Sequence, residues 1–588
     1  MPIDSLVAAN DHGEAIFANR NNVGTTTSVL PTMNNKIARR QALKSLAGIG
    51  IGTATFHRAL VAQADELAEV TPAMIAQAEW IAGIELSEED RETTADAIRY
   101  TLKNFAVNRS VDVGHDFAPC MVFNPAPWRR PHHEPIKRNQ AEPLESRAPK
   151  RPKSDAKLAF LPVTELAALM KTHQVTSTEL TTLYLDRLRK YDPELNCVVT
   201  LTESLAFKQA TKADREISAG KYRGPLHGIP WGAKDLIAVP GYPTTWGATP
   251  FRGQQLDEMA TVARRLEKAG AVLIAKLSLG ALASGDKWFG GMTRNPWNTE
   301  QGSSGSSAGS AAAVVAGLVG FALGSETMGS IVSPCKRCGG TGLRPTFGRV
   351  SRHGCMALSW TLDKIGPIAR SVEDCALVLD AIHGFDGRDA AAVDEQFIWP
   401  PQSELADLRV GFVKNEASDD ERSELQTLRE LGVQLVPIML PTEFSMSAVL
   451  MMLGTEAGTA FDPLTRANIT EGLNNWPMEF RRAQFVPAVE YLRASRVRSL
   501  MISAMRKVMD KVDLYVNGDD LAITNLTGHP TVVLPSGFAR KEAKQVPQSV
   551  TFTGRLFGET NLLSVAHAFE QSRGASLQHP ERFLTPRA

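Results

Sequence analysis

QGSSGSSAGSAAAVVAGLVGFALGSETMGSIVSPCKRCGGTGLRPTFGRV, residues Gln301–Val350, decides how the rest of the chain is read. It opens on a Gly/Ser loop, runs through uncharged apolar residues from Ala311 to Leu323, and closes on a second Gly/Ser loop around Ser330. That pattern predicts a buried helix held between two site-forming loops. The apolar run, about thirteen residues, falls short of the ~20 that span a bilayer, so a core helix is expected and no transmembrane segment. Glycine and serine crowd loops in which backbone N–H groups and hydroxyls must approach a reacting atom closely. The segment supplies one part of a catalyst, and the flanking chain must supply the rest.

A chain of 588 residues can bury a large core, and length alone allows three or four ordinary domains. Its 64 basic and 64 acidic residues cancel, so no global field draws nucleic acid or an anionic membrane. Six cysteines are too few and too scattered for a disulfide framework. Cys335 and Cys338 form a lone CxxC with no second pair and no histidine cluster, which reads as small buried thiols rather than a zinc site. No metal is implied.

Residues 1–64 read as a leader. Met33 begins a short basic region with Arg39-Arg40, a weakly apolar Gly-rich stretch follows, and Ala62-Gln63-Ala64 gives an A-x-A cleavage site. That is the layout of a twin-arginine export signal with translation starting at Met33, placing the mature protein in the periplasm or elsewhere outside the cytoplasmic membrane. Without export the location is cytoplasmic. Residues 65–105 read as a helical extension, with start signals at Thr71-Pro72 and Ser87-Glu88-Glu89-Asp90. Residues 106–155 are polar, basic and proline-rich, a linker in which His132 and His133 read as solvated. From 156 to 580 an α/β pattern holds. Thr176-Ser177-Thr178-Glu179 caps a helix with Leu180, Leu183, Tyr184 and Leu188 on one face. Short apolar strands at Val272–Ala275, Arg409–Val413, Gln434–Ile438, Leu514–Val516 and Thr531–Leu534 alternate with helices, which predicts a parallel or mixed sheet covered on both faces.

Several collinear motifs between about 160 and 575 carry a family resemblance. GPLHGIPWGAKD (224–235), GSSAGSAAAVVAG (305–317), GSETMGSI (324–331), GLRPTFGRVS (342–351) and LDKIGPIARSVED (362–374) resemble the amidase signature family. RNPWN (294–298), LTGHPTVVLPSGF (526–538) and VTFTGRLFGE (550–559) extend the match. The family includes the A subunits of tRNA-dependent amidotransferases and fatty acid amide hydrolase. The resemblance implies an α/β fold with a mixed central sheet of about eleven strands between helical layers. It also implies hydrolysis of a linear carboxamide by a Ser-cisSer-Lys triad, with no cofactor and a small-molecule amide as partner. The alternatives are an ammonia-supplying A subunit of a glutamyl/aspartyl-tRNA amidotransferase, which GRVSRHG resembles, and a catalytically degenerate amidase fold kept as a binding module. No nucleic acid is expected, and a homodimer is left open.

By motif, the triad falls on Lys234, Ser306 and Ser330, with Ser330 as nucleophile 24 residues after the bridging Ser306. A serine hydroxyl needs a base to remove its proton. A lysine serves when neutral, and lowering its pKa from ~10.4 to about 7 requires the charged form to be destabilised by about 4.6 kcal/mol. Burial can do this provided Asp235 points away from the amine. The oxyanion would meet backbone N–H groups of Thr327, Met328, Gly329 and Ser330. Two residues depart from the family pattern: Met328 stands where glycine is usual, and Val332 where arginine is common, while the acidic Glu326 is kept. If the backbone at 328 needs φ > 0, methionine there is strained. Met328 and Val332, with Phe461 and Trp476 from the variable stretch 380–510, are the candidate pocket residues. Gly305–Gly309 also satisfies G-x-S-x-G with Ser307 in the middle, and His227, His353 and His529 would be its bases. That elbow needs a strand immediately before it, and Asn295–Gln301 contains Pro296 and no β run.

Overall fold

The computed structural model describes residues 70–111, 121, 149–413, 422–518, 520–541 and 544–584. The runs read as strands are strands. Arg409–Val413, Gln434–Ile438 and Leu514–Val516 match to the residue, while the other two extend to Leu277 and Lys541. In chain order the strands are β1 (Val198–Leu201), β2 (Pro230–Lys234), β3 (Val272–Leu277), β4 (Lys287–Trp288) and β5 (Gly291–Met292). Next come β6 (Arg294–Asn295), β7 (Asn298–Gly302), β8 (Phe321–Glu326), β9 (Thr341–Arg344) and β10 (Lys364–Ala369). The last are β11 (Arg409–Val413), β12 (Gln434–Ile438), β13 (Leu514–Val516), β14 (Thr531–Lys541) and β15 (Lys544–Gly554).

Eleven of them form one sheet in the order β1-β3-β2-β8-β10-β9-β14-β15-β13-β11-β12. β2 runs parallel to β3 and β8, and β11 runs parallel to β12 and β13. The other neighbours are antiparallel, so the sheet is mixed. Every residue of β2, β3, β8, β9, β10 and β13 is buried. Successive side chains on a strand point to opposite faces, so full burial means that helices cover both faces.

The apolar run Ala311–Leu323 is not one helix. The helix Ala308–Val315 ends before Gly317, which takes φ +65°, and the chain then leaves as β8. Glycine accepts that left-handed turn at least cost, and Leu318 N–H closes it on Ala313 O at 2.8 Å. Phe321, Ala322 and Leu323 then pair with Trp231, Gly232 and Ala233 of β2. Apolarity alone does not separate a buried helix from a buried strand; here Gly317 and Gly320 mark the change.

The chain divides into two units, Met1–Tyr100 and Thr101–Ala588. In the first, Thr71 caps the helix Pro72–Ala82, and Glu79 holds Arg91 through hydrogen bonds of 2.7 and 3.0 Å. The next helix, Glu88–Ser110, begins on Ser87 and runs five residues beyond the 105 expected from sequence. The expected leader at 1–64 and most of the linker, including His132 and His133, lie outside the described residues. In the second unit, Thr176 and Glu179 form a reciprocal capping box on Ser177–Leu195, and Leu180, Tyr184 and Leu188 of that helix are fully buried. Among the described residues no helix is long and apolar enough to cross a membrane.

Candidate active site

Lys234 is the last residue of β2 and is fully buried. Its Nζ lies 2.8 Å from Ser306 Oγ, 2.8 Å from Ser325 Oγ and 3.1 Å from Ser307 Oγ, with Ser325 O at 3.3 Å. Burial lowers its pKa to about 7, against the opposing pull of the Asp363 and Glu326 carboxylates. Asp235, the next residue, faces elsewhere. Its Oδ1 is 2.7 Å from Lys276 Nζ, and its Oδ2 accepts from Thr245 N–H at 2.9 Å and from the Thr245 hydroxyl. Burial of the amine and the turning away of Asp235, both required for a neutral lysine, are therefore present.

Two loops converge on this amine. The Gly305–Ser306 peptide is cis, and Ser307 immediately precedes the helix Ala308–Val315 without a side-chain capping hydrogen bond. Ser307 N–H donates to Ser330 O at 3.0 Å, tying the first loop to the second. Ser307 Oγ also donates to Ser325 O and accepts from Ser325 N–H, each at 3.1 Å. A Cβ on Gly324 would stand 2.7 Å from that Oγ, which is why the strand carries glycine there.

Ser330 sits four residues beyond β8, 8% exposed, at the turn into the helix Val332–Cys338. Gly329 takes the left-handed backbone at φ +85°, whereas half-buried Met328 does not, so the strain considered for methionine does not arise. Glu326 braces the turn. Its Oε2 accepts from Ile331 N–H at 2.8 Å and Val332 N–H at 3.0 Å, and its Oε1 accepts from Arg344 and Asn525, both at 2.8 Å. Burial by itself raises its pKa, but Arg344 and Lys364, with the hydrogen bonds, hold it down to about 2. Thr327 Oγ1 donates to Asp363 Oδ1 at 2.6 Å. Among the described residues, no acceptor takes the N–H groups of Met328, Gly329 or Ser330.

Val332 is 2% exposed, with its N–H on Glu326. Phe461 and Trp476 both stack on Phe480, and the Trp476 indole N–H donates to Ala281 O at 3.1 Å, a packing cluster between helices. Cys335 and Cys338 are buried thiols whose pKa values burial raises. Against the expectation from sequence, the stretch Asn295–Gln301 does carry a strand. β7 (Asn298–Gly302) ends with two residues between it and Gly305, but it belongs to a separate two-stranded sheet with β6 and not to the central sheet that a nucleophile elbow tops. His227 sits by Glu216 at 3.2 Å, His353 by Glu258 at 2.9 Å, and His529 bonds Thr527 at 2.8 Å, so all three are engaged away from Ser307. The sequence reading missed Ser325, Ser307 and Asp363 as neighbours of the lysine and its loop. Reading 321–326 as a strand beside β2 would have placed Ser325 near Lys234.

The amidase family model matches residues 179–517, more than half of the chain. With the buried lysine and its serines on an eleven-stranded mixed sheet, this makes the chain a member of the amidase family that carries the amidase signature. It is 32% identical over 485 residues to the A subunit of the glutamyl-tRNA(Gln) amidotransferase from Moorella thermoacetica, covering 72% of this chain and 99% of that protein. To the protein of the same name from Azoarcus sp. (strain BH72) it is 34% identical over 486 residues, 71% of this chain and 99% of that protein. Among solved structures it is similar to the native peptide amidase from Stenotrophomonas maltophilia, with 30% identity, TM-score 0.63, and coverage of 71% and 98%.

Proposed function

We propose that the chain is an amidase hydrolysing a linear carboxamide through an acyl-enzyme on Ser330. Family membership supports a hydrolase acting on carbon–nitrogen bonds. One observation carries the finer reading: a fully buried lysine amine, with a pKa lowered to about 7, stands 2.8 Å from Ser306 Oγ. In its neutral form Lys234 accepts the Ser306 proton while Ser306 accepts that of Ser330. Ser330 Oγ attacks the amide carbon, and the negative oxygen is met by N–H groups of the Thr327–Ser330 loop. The proton held on Lys234 returns through Ser306 to the departing nitrogen, the C–N bond breaks, and an ester remains on Ser330. Water, deprotonated along the same route, releases the acid. Fluorophosphonate labelling and turnover of an amide panel test this. Ser330→Ala should abolish both, and sustained turnover by that variant would sink the reading.

A second reading, an ammonia-supplying component of a tRNA-dependent amidotransferase, is favoured by relatives of that kind matched over 97–99% of their length. The twin-arginine layout at Met33 favours the free hydrolase, with a mature protein beginning near Asp65 outside the cytoplasmic membrane. N-terminal sequencing from the native host decides this. An intact N terminus in the cytosol, with partner proteins co-purifying, would favour the second reading.

A further inference from the structure

An open cleft of about 840 Å³ lies beside the nucleophile loop, a size typical of small-molecule sites. Two contacts join its wall to that loop. Asp363 lines the cleft and accepts the 2.6 Å hydrogen bond from Thr327, three residues before Ser330. Leu526 and Thr527 line it from the helix Leu521–Thr527, whose Asn525 bonds Glu326 at 2.8 Å. The same helix carries Leu521, whose Cδ2 would stand 2.7 Å from a Cβ on Gly329.

The cleft's buried charges are already engaged by the protein. Both Asp389 oxygens take Arg352 at 2.8 Å, and a further Arg352 nitrogen donates to Trp360 O. Arg498 donates to Thr361 Oγ1 at 2.9 Å and Thr361 O at 2.8 Å. Asp363 Oδ2 accepts the N–H groups of Leu358 and Ser359. Arg388 stands exposed at the edge of the same cleft, and the rest of what is left to offer a ligand is largely apolar. Trp360, Met121 and Leu556 are 47%, 44% and 41% exposed, and all three line this one cleft, with Met356, Ile502 and Phe557 further in. Large apolar side chains gathered around a concave site mark a place where apolar surface is covered on binding.

We propose that this cleft takes an uncharged apolar group of the amide substrate, with Trp360 as the specificity-determining side chain. The proposal rests on the amidase reading above and adds the class of substrate: amides bearing a phenyl-sized apolar substituent. A ring covers Trp360 without disturbing any of the engaged pairs.

The test compares kcat/KM for two phenyl-bearing amides, 4-phenylbutyramide and N-benzylacetamide, each as a ratio to acetamide. Trp360→Ala should lower the ratio about tenfold for at least one of them, through KM. Trp360→Phe, which keeps a ring, should restore most of it. Calorimetric binding of the same two amides to Ser330→Ala protein should weaken about tenfold on adding Trp360→Ala. That arm needs no turnover, so it decides the cleft even if Ser330 proves not to be the nucleophile. Unchanged ratios and unchanged binding for both amides would overturn the proposal.

Discussion

Lys234 acts as a base only while neutral, and its environment sets the pH at which that holds. Burial brings its pKa to about 7, so the neutral form dominates above that value and the ammonium below it. The pH profile of kcat/KM should therefore rise through an acid limb near pH 7 and level off above it. Lys234→Ala should lose about 10²–10⁴-fold at pH 7 and recover part of the loss as hydroxide rises. Near-normal turnover by that variant at pH 7 would exclude this proton route. The neighbouring carboxylate makes a different prediction. Asp235 and Lys276 are both fully buried and paired at 2.7 Å, so Asp235→Asn leaves an uncompensated buried ammonium. Urea unfolding should show a loss of about 3–5 kcal/mol. At this scale the sequence was legible where a motif fixes a position: Lys234 Nζ meets Ser306 Oγ, and the Ser306-Ser307 loop is tied to Ser330 through Ser307 N–H. Ser325 and Asp363 were not, because their roles depend on strand register and on contacts 36 and 91 residues away in the chain.

Between residue and fold, glycines decide how closely elements approach. β8 can lie against the Ser306-Ser307 loop because Gly324 leaves room for the Ser307 hydroxyl. Gly324→Ala puts a methyl 2.7 Å from that oxygen and 3.0 Å from Ser307 Cβ, so the serine must move. Ser307 Oγ is one of the three hydroxyls around Lys234 Nζ. The variant should therefore lose at least about tenfold in kcat while destabilising the fold by the ~1–3 kcal/mol usual for overpacking, read by steady-state kinetics beside urea unfolding. Strands bounded by turn residues were readable, as Arg409–Val413 and Leu514–Val516 show. The Ala311–Leu323 run was not, because residues buried on all sides carry no period to tell helix from strand.

Across the whole molecule, the mixed sheet gathers distant segments, and buried carboxyls join them where no motif predicts a contact. The alternation of strands and helices announced the sheet; its order could not be read, since β14 enters between β9 and β15 after nearly two hundred intervening residues. Glu570, on the helix Glu559–Arg573, is one such join, and both its oxygens face Val372 N–H, at 3.0 and 3.2 Å, at the start of the helix Val372–Ile382. Burial raises its pKa from 4.5 to about 8, helped by Asp374 and opposed by the Val372 hydrogen bond. Below pH 4.5 the carboxyl is protonated whether the chain is folded or not, and its contribution is complete. Between 4.5 and 8 the folded chain keeps a proton that the unfolded chain releases, so rising pH favours unfolding by up to about 1.4 kcal/mol per pH unit. Glu326, held near 2, titrates below that window and does not offset it. Glu570→Gln keeps an oxygen for Val372 N–H and cannot ionise. Urea midpoints at pH 5, 6.5 and 8 should fall more steeply for the parent protein than for this variant. Parallel slopes would show that Glu570 is ionised in the folded protein throughout.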